Sequence, residues 1–181
     1  MLSVVIPAGE FYLEKEGVFV WTEETTLRLE HSLLSVSKWE AKWKKPFLDR
    51  HKPKTYEESI DYIRCMTLTQ NVDPNVYYAI TQPVMDQVNA YIGEMRTATV
   101  ISDRHGQAPN RRIVTSELIY YWMAVNNIPF ECQKWHLSRL FTLLQIFDIK
   151  QGGDKKMSRS EIMSQNRALN AARRKAMKSK G

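Results

Sequence analysis

An α+β fold dominated by helix is what this chain predicts, and three observations carry it. β-Branched and aromatic runs crowd residues 2–30, apolar residues recur at helical spacing from Ser32 onward, and the chain ends in a strongly basic stretch. The last thirty-two residues, Lys150 to Gly181, hold ten of the twenty-six Lys and Arg against only Asp154 and Glu161, a net +8, so residues 1–149 sum to about −2. The expected organisation is one globular domain over residues 1–149, with strands within 1–31 and a helical body over 32–149, followed by a basic helical tail over 150–181.

Residues 2–6 and 17–22 (Gly-Val-Phe-Val-Trp-Thr) read as strands, with Lys15-Glu16-Gly17 near a turn and residues 25–30 as a third candidate. Short polar breaks between them fit a small antiparallel sheet. From Ser32 the apolar period lengthens: Leu33, Val36, Trp39 and Trp43 recur at helical spacing among Lys38, Glu40, Lys42 and Lys44, until Pro46 stops the run. After a polar connector containing Pro53, Thr55 with Glu58 three residues on spells a capping box for a helix whose apolar side is Ile60, Ile63 and Met66. Asp73-Pro74 opens a short helix through Tyr77 and Ile80, and Pro83 opens another carrying Val84, Val88 and Ile92.

Residues 97–102 and 112–115 read as two β-branched arms of an exposed hairpin or flap around the loop 103–110. The most apolar helix spans Leu118 to Val125 and breaks before Pro129, which pushes its neighbour away from helical angles. A second apolar helix carries Leu137, Leu140, Phe141, Leu144 and Phe147 on one face. The expectation is that both runs are mostly buried and pair antiparallel at the centre of the core. Past Gly152-Gly153, Ser158 and Glu161 form another capping box for a final helix from about Arg159 to Met177.

Composition narrows the function classes. Nothing approaches the roughly 20 apolar residues that span a bilayer, and the opening residues lack the basic start and long apolar run of a secretory signal, so a cytosolic protein with no membrane partner is expected. Cys65 and Cys132 are far apart in sequence with no Cys-x-x-Cys spacing, which fits buried reduced thiols. Cys132 and His136, four residues apart, are the best catalytic candidates, yet nucleophilic pairs normally come from separate elements with a third orienting group. His31, His51, His105 and His136 show no metal-ligand spacing with cysteines or carboxylates, and no phosphate-loop, dinucleotide or nucleophile-elbow string occurs. A protein without catalysis, metal or cofactor is therefore expected.

Binding chemistry is more legible. Trp39 and Trp43, one turn apart and flanked by Lys38, Lys42, Lys44 and Lys45, fit either a docking or stacking ridge or two core anchors ringed by snorkelling lysines. Trp122 and Trp135, with Tyr120 and Tyr121, fit core or subunit-interface positions. In the tail, Ile162, Leu169, Ala172 and Ala176 form an apolar stripe too thin to build a core, among Arg159, Arg167, Arg173, Arg174, Lys175 and Lys178. Those six basic residues, with Trp39 and Trp43, are the candidate partner-binding residues. The charge suits an acidic protein partner or nucleic acid, a solvated tail being the alternative.

Several strings are familiar together: residues 27–48 (LRLEHSLLSVSKWEAKWKKPFL), 56–76 (YEESIDYIRCMTLTQNVDPNV), 116–146 (SELIYYWMAVNNIPFECQKWHLSRLFTLLQI) and the ending SRSEIMSQNRALNAARRKAMKSKG. They resemble the tail assembly chaperones encoded in the tail gene module of long-tailed bacteriophages, across nearly the whole chain. The resemblance implies a non-catalytic protein of the host cytoplasm that binds the long, helical, aggregation-prone tape measure protein before tail tube subunits polymerise around it. It also implies absence from the finished virion. The strand-rich start and the basic tail equally suit a virion structural protein at the head-to-tail joint or in the tail, touching DNA or an acidic subunit. Homo-oligomerisation is open under either reading.

Overall fold

Two antiparallel hairpin-like sheets of two strands each precede a helical body, so the fold is α+β and mainly helical. The computed structural model describes residues 1–13, 17–49, 51–99 and 113–153, with Met163 and Arg167 beyond them. Of the expected hairpin or flap with arms at 97–102 and 112–115, residues 100–112 lie outside the described residues, and the described ends, 97–99 and 113–115, form no strand. Most of the final helix also lies outside the described residues. The chain divides into two compact units, Met1–Leu144 and Gln145–Gly181.

The first strand, β1 (Leu2–Ile6), pairs with β4 (Thr25–Leu29), in register from Leu2 opposite Leu29 to Ile6 opposite Thr25. Between them in sequence, β2 (Gly9–Leu13) pairs with β3 (Val18–Thr22). Alternation decides which side of the first sheet is inside: Val4, Ile6, Leu27 and Leu29 are buried while Val5, Thr26 and Arg28 face out. The outer edge of β4 is continued by the chain after the second helix, where Glu30 N donates to Met66 O at 3.0 Å and Leu68 N to Arg28 O at 2.7 Å. Sequence reading placed three strands in one sheet. β2 is weakly marked in the sequence because Gly9-Glu10-Phe11-Tyr12-Leu13 has no β-branched residue and opens on Gly and Glu, both depleted in strands, and pairing with Val18–Thr22 adds what Phe11 and Tyr12 alone do not.

Helix α1 (Leu33–Trp43) starts at Ser32, whose hydroxyl accepts from Ser35 N, while Ser35 Oγ accepts from Ser32 N at 2.9 Å. It ends at Lys44, which sits in the left-handed region at φ 54°. Helix α2 (Tyr56–Met66) carries the capping box of Thr55 and Glu58 that its sequence announces. A 3-10 turn over Pro74–Ala79 leads to α3 (Gln82–Gly93), with Pro83 in its first turn. Helix α4 (Ser116–Val125) follows, then a 3-10 turn over Phe130–Lys134 and α5 (Leu137–Gly153).

The centre of the first unit is α1 packed against α2 and α4, rather than an α4–α5 pair. Leu33, Val36 and Trp39 of α1, Ile63 and Met66 of α2, Ile119 and Met123 of α4, and Leu140 of α5 are sealed from solvent together with Leu27 and Leu29 of β4. The run Leu118 to Val125, expected to be mostly buried, buries only Ile119 and Met123 among its apolar residues. On α5, Leu137, Leu140 and Leu144 are buried, and Phe141 is only half-buried. In the second unit, Phe147 is half-buried, Asp148, Ile149 and Lys150 are exposed, and Met163 and Arg167 are helical and exposed.

Candidate partner-binding surface

The two tryptophans singled out from sequence have their polar atoms turned to the protein. Trp39 is 1% exposed, donates from its indole Nε1 to Glu58 O at 2.9 Å, and stacks on Trp43 with Phe47 edge-on at 5.2 Å. Placing Trp39 on a partner-facing ridge is therefore corrected: it is a core anchor between α1 and α2, and burying its large ring outweighs any surface role. Trp43 is half-buried, its Nε1 donating to Asp61 Oδ2 at 2.9 Å, with Lys42 and Lys45 at 5.9 and 5.8 Å from its ring. Those lysines are themselves ion-paired, Lys42 with Asp61 and Lys45 with Glu58. Two of the four lysines flanking the indoles are thus paired with α2.

Helix α4 presents the opposite case. Its amino end is fastened to α1 by Glu40, a buried carboxylate whose Oε2 accepts from Ser116 N and whose Oε1 accepts from Phe47 N, both at 2.7 Å. Acidic oxygens at a helix start meet the unpaired N–H groups and the positive end of the helix dipole. With that end fixed, Ser116, Ile119 and Met123 turn inward on one face. Leu118, Tyr121, Trp122 and Val125, at positions i, i+3, i+4 and i+7, turn outward. Tyr121 is 62% and Val125 56% exposed, and Leu118 and Trp122 are half-buried. An apolar stripe at this spacing is the pattern by which one helix receives another. Beside α4 in sequence, Phe130 is exposed, and the exposed Trp135 ring carries the Arg139 guanidinium at 4.7 Å.

A second apolar face belongs to the β2–β3 hairpin. The cross-strand pairs Glu10 with Trp21 and Tyr12 with Phe19 place four side chains on one side, and the opposite side holds Phe11, Val20 and the buried Thr22. Tyr12, Phe19 and Trp21 are 54, 67 and 65% exposed, and the Tyr12 and Phe19 rings lie 4.9 Å apart. Sequence reading found β3 but not its outward face, since Val18-Phe19-Val20-Trp21 is apolar at every position and offers no polar alternation to mark the outside.

Cys132 and His136 do not share a helix. Cys132 lies in the 3-10 turn, and the chain is extended at Trp135 before His136 begins the approach to α5. The His136 ring nitrogens engage Ser138 Oγ at 2.8 Å and Tyr91 O at 3.2 Å. Burial raises the Cys132 thiol above its usual range, opposite to what a nucleophile needs. His136 instead belongs to a buried polar cluster with His31, the two rings 5.2 Å apart. His31 Nδ1 and the Tyr62 hydroxyl are 2.5 Å apart, and the Tyr91 hydroxyl donates to Glu30 Oε1 at 2.7 Å. Burial pushes the His31 imidazole down to about 4, and that of His136 down as well, so both are neutral near pH 7.

Among the described residues, no group of three or more His, Cys, Asp or Glu stands where it could hold a metal ion, and no helix is long and apolar enough to cross a membrane. Of the basic candidates, Arg167 is an exposed helical residue, and Arg159, Arg173, Arg174, Lys175 and Lys178 lie outside the described residues. Compared with known protein families, curated proteins and solved structures, the chain matches none.

Proposed function

We propose that this protein acts by non-covalent binding of a helical protein client, as a chaperone of phage tail assembly whose main client is the tape measure protein. The observation that carries the reading is the outward stripe of α4, in which Tyr121 and Val125 stand open, with half-buried Leu118 and Trp122 beside them, at the spacing a partner helix engages. A tape measure is a long amphipathic helix whose apolar face needs cover until the tube encloses it, and aromatic anchors in a local stripe are the side chains that dominate such contacts. The resemblance of residues 27–48, 56–76 and 116–146 to tail assembly chaperones supplies the biological setting.

Coexpression tests it directly. Wild-type protein is expected to raise the soluble yield of the tape measure, and Tyr121→Ser with Val125→Ser is expected to abolish that gain while leaving the chaperone folded. Mass spectrometry of purified virions beside a pull-down from infected lysate tests the setting. Stoichiometric copies in the virion with no tape measure in the pull-down would reject the chaperone in favour of a virion structural protein. The +8 net charge of residues 150–181 favours that second reading, with the basic segment on DNA or on an acidic subunit, and steep salt dependence of binding is its readout.

A further inference from the structure

We propose that the aromatic face of the β2–β3 hairpin is a receptor for the basic carboxy-terminal segment of a second copy of this chain, so that copies associate head to tail. The face is built from Tyr12, Phe19 and Trp21, all more than half exposed within a single chain. Glu10 stands on the same side opposite Trp21, and Glu23 and Glu24 follow on exposed backbone immediately past β3. Residues 9–24 contain five glutamates against Lys15 alone. Aromatic rings set among carboxylates repel nucleic acid and anionic lipid and select a cationic peptide, above all one rich in arginine.

The chain carries such a peptide. Arg159, Arg167, Arg173 and Arg174, with six lysines, lie in the segment of net +8, and they are present at the same concentration as the hairpin in any solution of the protein. Arginine stacking on aromatic rings is already how this fold uses the pair: Arg64 lies 4.8 Å from the Tyr77 ring, Arg96 4.6 Å from Tyr91 and Arg139 4.7 Å from Trp135. Because hairpin and basic segment are different surfaces, the contact is heterologous: each copy offers one of each, and association continues into rings or chains. This proposal is independent of the α4 stripe and of the client's identity.

Sedimentation velocity of the full-length chain over about a hundredfold range of concentration tests it. The expected result is a weight-average mass that climbs with concentration at low salt and falls back as salt screens the charges. A hairpin variant, Phe19→Ser with Trp21→Ser, and a tail variant, Arg173→Glu with Arg174→Glu, should each weaken association by about tenfold or more. Mixed together they should form a dimer and nothing larger, since the intact tail of one meets the intact hairpin of the other. Should the hairpin variant fail to fold, Glu23→Lys with Glu24→Lys takes its place and leaves the rings untouched. Wild-type protein that stays monomeric throughout would overturn the proposal, as would association that survives both variants or a mixture that remains monomeric. Docking of the segment onto its own hairpin belongs to the first of these, being independent of concentration.

Discussion

Helices α1 and α4 have almost the same length and both are rich in apolar residues, yet α1 seals Trp39 inside while α4 leaves Tyr121 and Val125 in water. In α1, Lys38 and Lys42 cannot go inside, so only one orientation buries Leu33, Val36 and Trp39. In α4, every residue from Leu118 to Val125 is apolar or aromatic, and the pattern alone permits any orientation. The choice is made by Glu40, which holds the Ser116 end of α4 against α1, and by the fit of Ile119 and Met123 beside it. Apolar composition therefore measures what a helix could bury, and packing decides what it does bury. The remainder is left for a partner.

Four measurements break or sharpen that contrast. The largest effect is expected at the inward face of α1: Trp39→Ala removes a sealed ring and its hydrogen bond to Glu58 O, and should cost about 3–5 kcal/mol in denaturant unfolding. A loss below ~1 kcal/mol would show that α1 is not the centre of the core. Next is the clamp between the helices. Glu40→Ala leaves the N–H groups of Ser116 and Phe47 buried without their carboxylate, and should cost roughly 3 kcal/mol. A neutral result would mean that α4 is oriented by something other than Glu40.

The polar cluster behind α1 gives a pH dependence. His31 has a folded-state pKa held down to about 4 by burial, with the nearby His136 and Lys54 charges opposing its protonation and Glu30 favouring it. The unfolded chain therefore takes up a proton first as pH falls. Stability is fully present above about pH 6.5 and is lost between there and pH 4, by roughly 2 kcal/mol at pH 5. His136, also shifted down by burial, acts in the same direction. Stability that is flat from pH 7 to 5, or a His31→Gln variant with an unchanged pH profile, would remove the buried neutral imidazole from the account. The smallest stability effect is expected on the outward face of α4, where Tyr121→Ser and Val125→Ser should each change unfolding free energy by no more than about 0.5 kcal/mol. A loss comparable to that of Trp39→Ala would show that the outward stripe is part of the core.

What the sequence determined by itself is local. Ser32, Thr55 and Thr115 at helix starts, the proline at position 83, and the alternation in Leu27-Arg28-Leu29 set element types and caps, because those preferences act within one turn or one strand pair. Three things were decided only by tertiary structure. β2 exists because β3 pairs with it, and His31 meets Tyr62 and His136 only once β4, α2 and the start of α5 converge. The side of α4 and of the hairpin that faces water is set by neighbours far along the chain. The physical reason is that caps and periodicity act over a few residues, whereas burial is a property of the space between elements. A uniformly apolar helix such as α4 or strand such as β3 carries no internal mark of which side will be covered.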